Sequence, residues 1–260
     1  MDRATMLALM DLNMVEMYRE MARATVDGWI VECDGVVLCG SPLGSVVTNM
    51  AMVTGTVSAA VVRAATDRWF RGPGLPFTVW TRAHADAALE AELRDAGFFQ
   101  ITDTPGMVFT PGAGRRGAPP PDTVIRPVRD HAGREAFGRI MAQAYAVYGT
   151  PPESTLEKFT RLESVVGPTT QAYLAVHRGT PVAGAILYLS HGIGGIGWVG
   201  TLPDAFGRGY ATAVTWEVVE AGLARGVPFL SLQASPMGAP VYRRMGFTTP
   251  TRYHVFVAMD

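Results

Sequence analysis

Apolar residues recur at helical spacing through the first twenty positions, MDRATMLALMDLNMVEMYRE, with Asp2 and Asp11 interrupting the run. This predicts an amphipathic helix, not a signal peptide. Further on, the pattern predicts a strand at 76–81, a helix at 86–96 and a strand near 107–110. Residues 111–122, PGAGRRGAPPPD, then break all periodicity. Glycine and proline dominate there, and Pro119 to Pro121 favour an extended, solvated backbone, so the stretch reads as a linker. Beyond it, a short strand at 124–128 precedes a helix at 132–145 that places Phe137, Ile140, Met141 and Ala144 on one face. After a turn at 149–152, Ser154 and Glu157 form a capping-box pattern for a helix running to about Val165, stopped by Gly167 and Pro168. Strands follow at 172–176, 182–190 and 196–201, with turns at 178–180 and 191–195. The mostly apolar 182–190 suits a buried strand. Residues 210–225 regain helical spacing, and Gly226 can terminate them. A strand at 229–233, a short helix at 240–245 ended by Gly246, and a strand at 253–258 complete a mixed α/β pattern.

The two halves end alike. Pro76 and Phe77 open a strand that leads to a helix, then Gly97 and Phe98, then a strand. Pro228 and Phe229 lead through a helix to Gly246 and Phe247 and another strand. Together with the order of elements, the repeated pairs suggest a diverged internal duplication. The division expected is residues 1–112, a linker at 113–121, and residues 122–260.

Composition narrows the function classes. The 260 residues are 48% hydrophobic and 17% charged, which describes a packed globular chain long enough for two domains. A net charge of −1 announces no nucleic-acid partner. No apolar run reaches the roughly 18 residues of a membrane span. Cys33 and Cys39 are too few for a disulfide framework and have no metal-ligand cluster beside them; two buried thiols in a reducing cytoplasm fit the count. Lys158 is the only lysine.

The chemistry concentrates in 198–212, WVGTLPDAFGRGYAT. A strand ends, a turn follows, and Gly207 and Gly209 open a helix. The first amides of a helix lack partners and sit at the positive end of its dipole. Glycines let a bulky anion approach that backbone, as a pyrophosphate cradle requires, and Arg208 can add a cation. A bare Gly-x-Gly is equally compatible with a structural turn.

The stretch resembles the GNAT superfamily of coenzyme A-dependent acyltransferases, whose signature is Gln/Arg-x-x-Gly-x-Gly/Ala at a strand-to-helix junction. Gly209 and Ala211 match, and Phe206 stands in the usual polar position. A second block, SPMGAPVYRRMGF at 235–247, is similar to the family's Asn-Pro-x-Ala-x-x-Leu-Tyr-x-x-x-Gly-Phe element. Pro236, Tyr242, Gly246 and Phe247 match; Ser235 replaces Asn and Gly238 replaces Ala. The resemblance covers about residues 122–260.

The resemblance implies an α/β (α+β) fold of two GNAT-like domains, each a central, mixed and mostly antiparallel sheet flanked by helices, with only the second domain active. It implies that Trp198, Val199, Gly200 and Thr201 pair through their backbone with the pantetheine arm of acetyl-CoA. Phe206, Gly207, Arg208, Gly209, Tyr210, Ala211 and Thr212 would hold the pyrophosphate, with Ser235 a secondary contact that most simply caps the next helix behind Pro236. Tyr242 takes the place of a tyrosine near the thioester sulfur, able to protonate or hydrogen-bond the leaving thiolate; the plain alternative is a packed tyrosine. Tyr145 and Tyr148 fall in a region that resembles the family's acceptor-binding segment. The backbone amide near Val199 or Gly200 is the oxyanion candidate. Many relatives carry a glutamate on the strand before the loop, whereas 194–200 here reads GGIGWVG. Glu153, Glu157 and Glu163 read as solvated helix charges, and His191 as a surface turn residue.

The expected activity is acetyl transfer to a small-molecule amine without a metal, by a monomer or homodimer acting on neither nucleic acid nor membrane. A non-catalytic acyl-CoA sensor, a transferase for longer acyl-CoAs, and one using aminoacyl-tRNA are alternatives, the last disfavoured by the near-zero charge. At 52–63, the equivalent place in the first half, MVTGTVSAAVVR lacks the Gly-x-Gly, so that half is expected to have lost coenzyme A binding and to wall the acceptor pocket. Trp69, Phe70, Trp80, Phe98 and Phe99 are expected to pack in its core or against the second half.

Overall fold

The computed structural model describes residues 1–258. The first half contains α1 (Arg3–Ala24), β1 (Trp29–Cys33), β2 (Val36–Gly40), β3 (Met50–Val53), α2 (Ala59–Thr66), β4 (Thr78–Arg82), α3 (Ala87–Asp95) and β5 (Phe98–Phe109). The second contains β6 (Thr123–Pro127), α4 (His131–Tyr145), α5 (Pro152–Leu156), β7 (Thr170–His177), β8 (Thr180–Ser190), β9 (Ile193–Thr201), α6 (Tyr210–Ala224), β10 (Leu230–Gln233), α7 (Ala239–Met245) and β11 (Thr248–Ala258). All eleven strands join one mixed sheet in the order β1-β2-β3-β4-β11-β5-β10-β9-β8-β7-β6. Among the described residues, only β3 with β4 and β9 with β10 run parallel.

From β1 to β7, that order reads the same from either end when β1 to β5 are exchanged for β7 to β11. The exchange is physical at the centre. β11 lies between β4 and β5, and β5 pairs with β10. The last strand of each half therefore bonds to the other half. No isolated sheet edge remains between them, and neither half closes its own sheet.

Helices cover both faces. α1 packs Val15 and Ala22 on Val37, Cys39, Met50 and Met52 of the first half, and Met17 and Met21 on the second-half core around Phe137, Phe159 and Trp198. α4 shares that face. α6 lies on the opposite one, against Leu187, Ile196 and Leu230. The glycines of β8 and β9 make this possible. A Cβ at Gly197 would stand 2.7 Å from Met17 Sδ, and one at Gly200 would stand 2.9 Å from Ala144 Cβ. These two positions let α1 and α4 settle directly on the strand.

Several expectations change. The turn at 191–195 shrinks to His191 and Gly192, because the glycines after it belong to β9. The helix to Val165 breaks into α5 and two short 3-10 turns, Glu157–Phe159 and Leu162–Ser164. Pro151 and Pro152 start α5, so Ser154 lies inside it, buried, and caps nothing. Glu157 is not a solvated charge. It is buried beside Lys158, whose ammonium donates to Ser41 Oγ of the first half at 2.6 Å. Of the aromatic residues expected to pack, Phe70 and Phe98 are buried, Trp69 and Trp80 are half-buried, and Phe99 is exposed. Cys39 is buried and Cys33 only half-buried. The linker is bound rather than free. Arg116 pairs with Glu217 at 2.9 Å and with Glu220 on α6, and Gly114 lies close against Met245 and Trp216.

Candidate active site

The second half opens between β9 and β10. The two parallel strands pair only at Gly194 with Leu230 and Gly195 with Ser231; the rest of β9, up to Thr201, has no partner on that side. A bulge accompanies the divergence. Gly197 faces Ile186 and Gly200 faces Gly184, so Trp198 and Val199 both stand opposite Ala185. Trp198 holds a φ of +49° there. Its ring turns into the core against Tyr145 at 4.6 Å and Phe159 at 5.1 Å, and its indole N–H donates to Met21 Sδ at 2.8 Å. Any contact Trp198 makes with a ligand in the notch therefore comes from its backbone. Val199 sits where the ladder with β8 is interrupted.

Beyond β9 the chain passes through a short 3-10 turn, Pro203–Ala205, into the glycine loop. Gly207 and Gly209 have φ of +73° and +84°, a region in which a side chain is strained. Gly209 is the N-cap of α6, and no side chain caps it. Ala213 donates to Gly209 O, so the amides of Tyr210, Ala211 and Thr212 precede the first intrahelical bond and have no partner within the helix. A Cβ on Gly207 would meet nothing within 4 Å. The loop is an open ring of N–H groups at the positive end of a 15-residue helix.

Notch and loop share one cavity of about 410 Å³. It takes in Val199, Gly200 and Thr201 from β9, and Phe206, Gly207, Gly209, Tyr210, Ala211 and Thr212 from the loop and helix. Ser235, Tyr242, Tyr145 and Tyr148 complete its lining, the three tyrosines near one another. Thirteen of the fifteen residues singled out from the sequence thus meet in one place. Trp198 and Arg208 do not line it. Arg244, Met237 and Val241 do, and sequence reading missed them. The pair Arg243 and Arg244 carried a signal, since one turn of helix after Pro240 brings Arg244 round to the face that looks into the cavity.

Tyr242 is buried in α7 with its ring 5.6 Å from that of Phe247. Burial, and secondarily Tyr148, push its hydroxyl well above the usual phenol value. Loss of solvation does the same to Tyr145, followed by the neighbouring Tyr242, Tyr148, Tyr18 and Tyr188. Both phenols are protonated at neutral pH and are donors rather than bases. Ser235 does not cap α7. Its Oγ accepts from Gly238 N at 3.1 Å and closes the turn before the helix, which starts at Ala239 behind Gly238. Among the described residues no group of three His, Cys, Asp or Glu could hold a metal, and no helix is long and apolar enough to cross a membrane.

Residues 137–247 match the model of the acetyltransferase (GNAT) family. No curated protein matches the chain. Among solved structures, the chain is similar to a GCN5-related N-acetyltransferase from Kribbella flavida, with 17% identity and a TM-score of 0.73 over 96% of this chain and 95% of that one. It is also similar to a GCN5-related N-acetyltransferase from Sphaerobacter thermophilus, with 19% identity and a TM-score of 0.57 over 88% and 84%. A GCN5-related N-acetyltransferase-like protein from Streptococcus suis shares 16% identity and a TM-score of 0.55 over 95% and 100%. At these identities the likeness establishes a common fold across nearly the whole chain.

Proposed function

With residues 137–247 a domain of the acetyltransferase (GNAT) family, we propose that the protein is an acetyl-CoA-dependent N-acetyltransferase acting on a small-molecule amine. One observation carries this reading: the uncapped N-terminus of α6 opens, behind two left-handed glycines, onto a notch between two parallel strands. That combination suits a pyrophosphate joined to an extended chain. The free edge of β9 supplies backbone groups for the pantetheine amides. Arg244 adds a cation, a role the sequence suggested for Arg208.

Bound acetyl-CoA would supply an activated acyl carbon and a thiolate leaving group. The amide of Val199, in the bulge, is positioned to meet negative charge developing on the carbonyl oxygen. Tyr242, kept protonated by burial, donates to the departing sulfur. Tyr145 and Tyr148 form the wall against which the acceptor rests. Two cysteines outside any disulfide accord with a cytoplasmic location.

Two other readings have specific support. A non-catalytic acyl-CoA sensor accords with the absence of carboxylate and histidine from the cavity lining among the described residues. A longer acyl donor accords with the exposed Phe206 and Met237 at its rim. Calorimetry with coenzyme A, paired with thiol release from acetyl-CoA over a panel of amines, separates them. Binding with amine-dependent thiol release is the expected result. Binding without release from any amine favours the sensor, and faster release from a longer acyl-CoA favours the third reading.

A further inference from the structure

The acceptor end of the cavity is unusual in its acid–base content. The lining of the whole cavity contains four tyrosines and one arginine but, among the described residues, no aspartate, glutamate, histidine, lysine or cysteine. Burial dominates the environment of Tyr242 and of Tyr145, and the neighbouring titratable groups that act on them are other tyrosines, drawn for Tyr145 from α1, β8, α7 and the turn after α4. Both phenols are held in the neutral form. Arg244 is exposed and of the wrong sign to receive a cation. The site therefore holds neither an anion to accept an ammonium ion nor a base to deprotonate one. An alkylamine, whose conjugate acid has a value of about 10.4 in the lysine case, is neutral in only about one molecule in 10³ at neutral pH. Its charged form would lose its hydration against these walls, and cation–π contact with the tyrosine faces returns only part of that cost.

The walls are apolar as well as uncharged. The ring of Tyr145 lies tilted against Trp198 at 4.6 Å and edge-on to Tyr148 at 5.7 Å. Ala144 and Val241 lie beside them, and Val147, Tyr148 and Leu156 are exposed on the segment that follows α4. Resting on the acetyl-transfer reading above, we infer that the acceptor is a weakly basic amine on an aromatic or otherwise apolar body, an arylamine in class, which enters the site already neutral. No external base is then required. The amine nitrogen attacks the thioester carbonyl carbon, the C–N bond forms as the C–S bond breaks, and the sulfur leaves with the bonding pair. One of the two amine protons remains on the amide, and the other balances the thiolate, by way of Tyr242 or water.

Aniline and benzylamine provide the test, because they share a ring and differ mainly in basicity. Thiol release from acetyl-CoA by the full-length protein is measured with each, from about pH 6 to about pH 9, beside calorimetry of coenzyme A binding. The expected result is a kcat/KM for aniline at neutral pH about tenfold or more above that for benzylamine, with aniline flat across the range and benzylamine rising with pH. Preference for benzylamine at neutral pH, or a flat benzylamine profile, overturns the acceptor class and leaves acetyl transfer standing. If coenzyme A binds and neither amine reacts, the acceptor class falls; acetyl transfer falls with it only when no amine of the wider panel provokes thiol release.

Discussion

The two strand-to-helix junctions, β3 to α2 and β9 to α6, occupy equivalent places in the sheet and differ in what faces the helix N-terminus. At the first, the protein fills the position itself. Ser58 caps α2 by accepting from Val61 N, Ala59 N donates to the Glu92 carboxylate at 2.9 Å, and Arg82 holds the carbonyls of Thr54 and Gly55. Three of the four residues of β3 pair with β4, leaving almost no notch. At the second, nothing caps α6 and most of β9 lies free of β10. The same helix dipole is spent on folding in one half and left open in the other. The proposed ligand site is less an added feature than a stabilising contact left unmade.

The largest expected effect breaks the second junction. Gly209→Val places a β-branched side chain at a φ of +84° inside the loop. Coenzyme A affinity should fall a hundredfold or more, about 3 kcal/mol, by calorimetry on a protein whose circular dichroism is unchanged. Undiminished affinity would remove the loop from the site and leave the two junctions equivalent.

The seam between the halves comes next. Burial lowers the Lys158 ammonium from 10.5 to about 8, and Glu157 opposes this only in part. A lysine depressed on folding makes the unfolded state the better proton binder. The penalty is full below about pH 8 and is relieved as pH rises toward 10.5. That relief amounts to about 3 kcal/mol. Denaturant titrations at pH 8 and pH 10 should show the wild type gaining stability relative to Lys158→Met. Equal slopes for the two proteins would mean that Lys158 is hydrated in solution.

Chemistry at the open junction can be separated from binding. Tyr242→Phe keeps the ring against Phe247 and removes the donor. A fall in kcat of about 30-fold, near 2 kcal/mol, with little change in coenzyme A affinity is expected. A loss confined to KM would make Tyr242 a packing residue. The smallest effect belongs to the closed junction. Ser58→Ala should cost about 1 kcal/mol of stability in urea titrations and leave coenzyme A affinity untouched. Weakened coenzyme A binding in that variant would show that the first junction also holds ligand.

Reading the chain alone recovered most of the elements and the glycine loop, because helical periodicity and Gly-x-Gly are local properties of a few adjacent residues. It missed Arg244, the burial of Glu157 and the true length of β9. Each depends on partners distant in sequence: a cavity wall, the Ser41 loop, and α1 and α4 pressed onto glycines that otherwise resemble a turn. The linker misled for the same reason, since its proline run is locally extended while Arg116 ties the segment to α6.

The two blocks, 198–212 and 235–247, are legible without the fold, and with them a helix start suited to an anion and a tyrosine in the second block. Local conformation suffices for both, since a left-handed glycine and an uncapped helix end are set within a few residues. Tertiary packing was needed to set that β5 and β11 change places, that the notch opens where β10 leaves β9, and that Tyr145, Tyr148 and Tyr242 line one cavity. Strand order and the contents of a cavity are set by which distant segments bury each other, and the hydrophobic driving force behind that burial carries no direction along the chain.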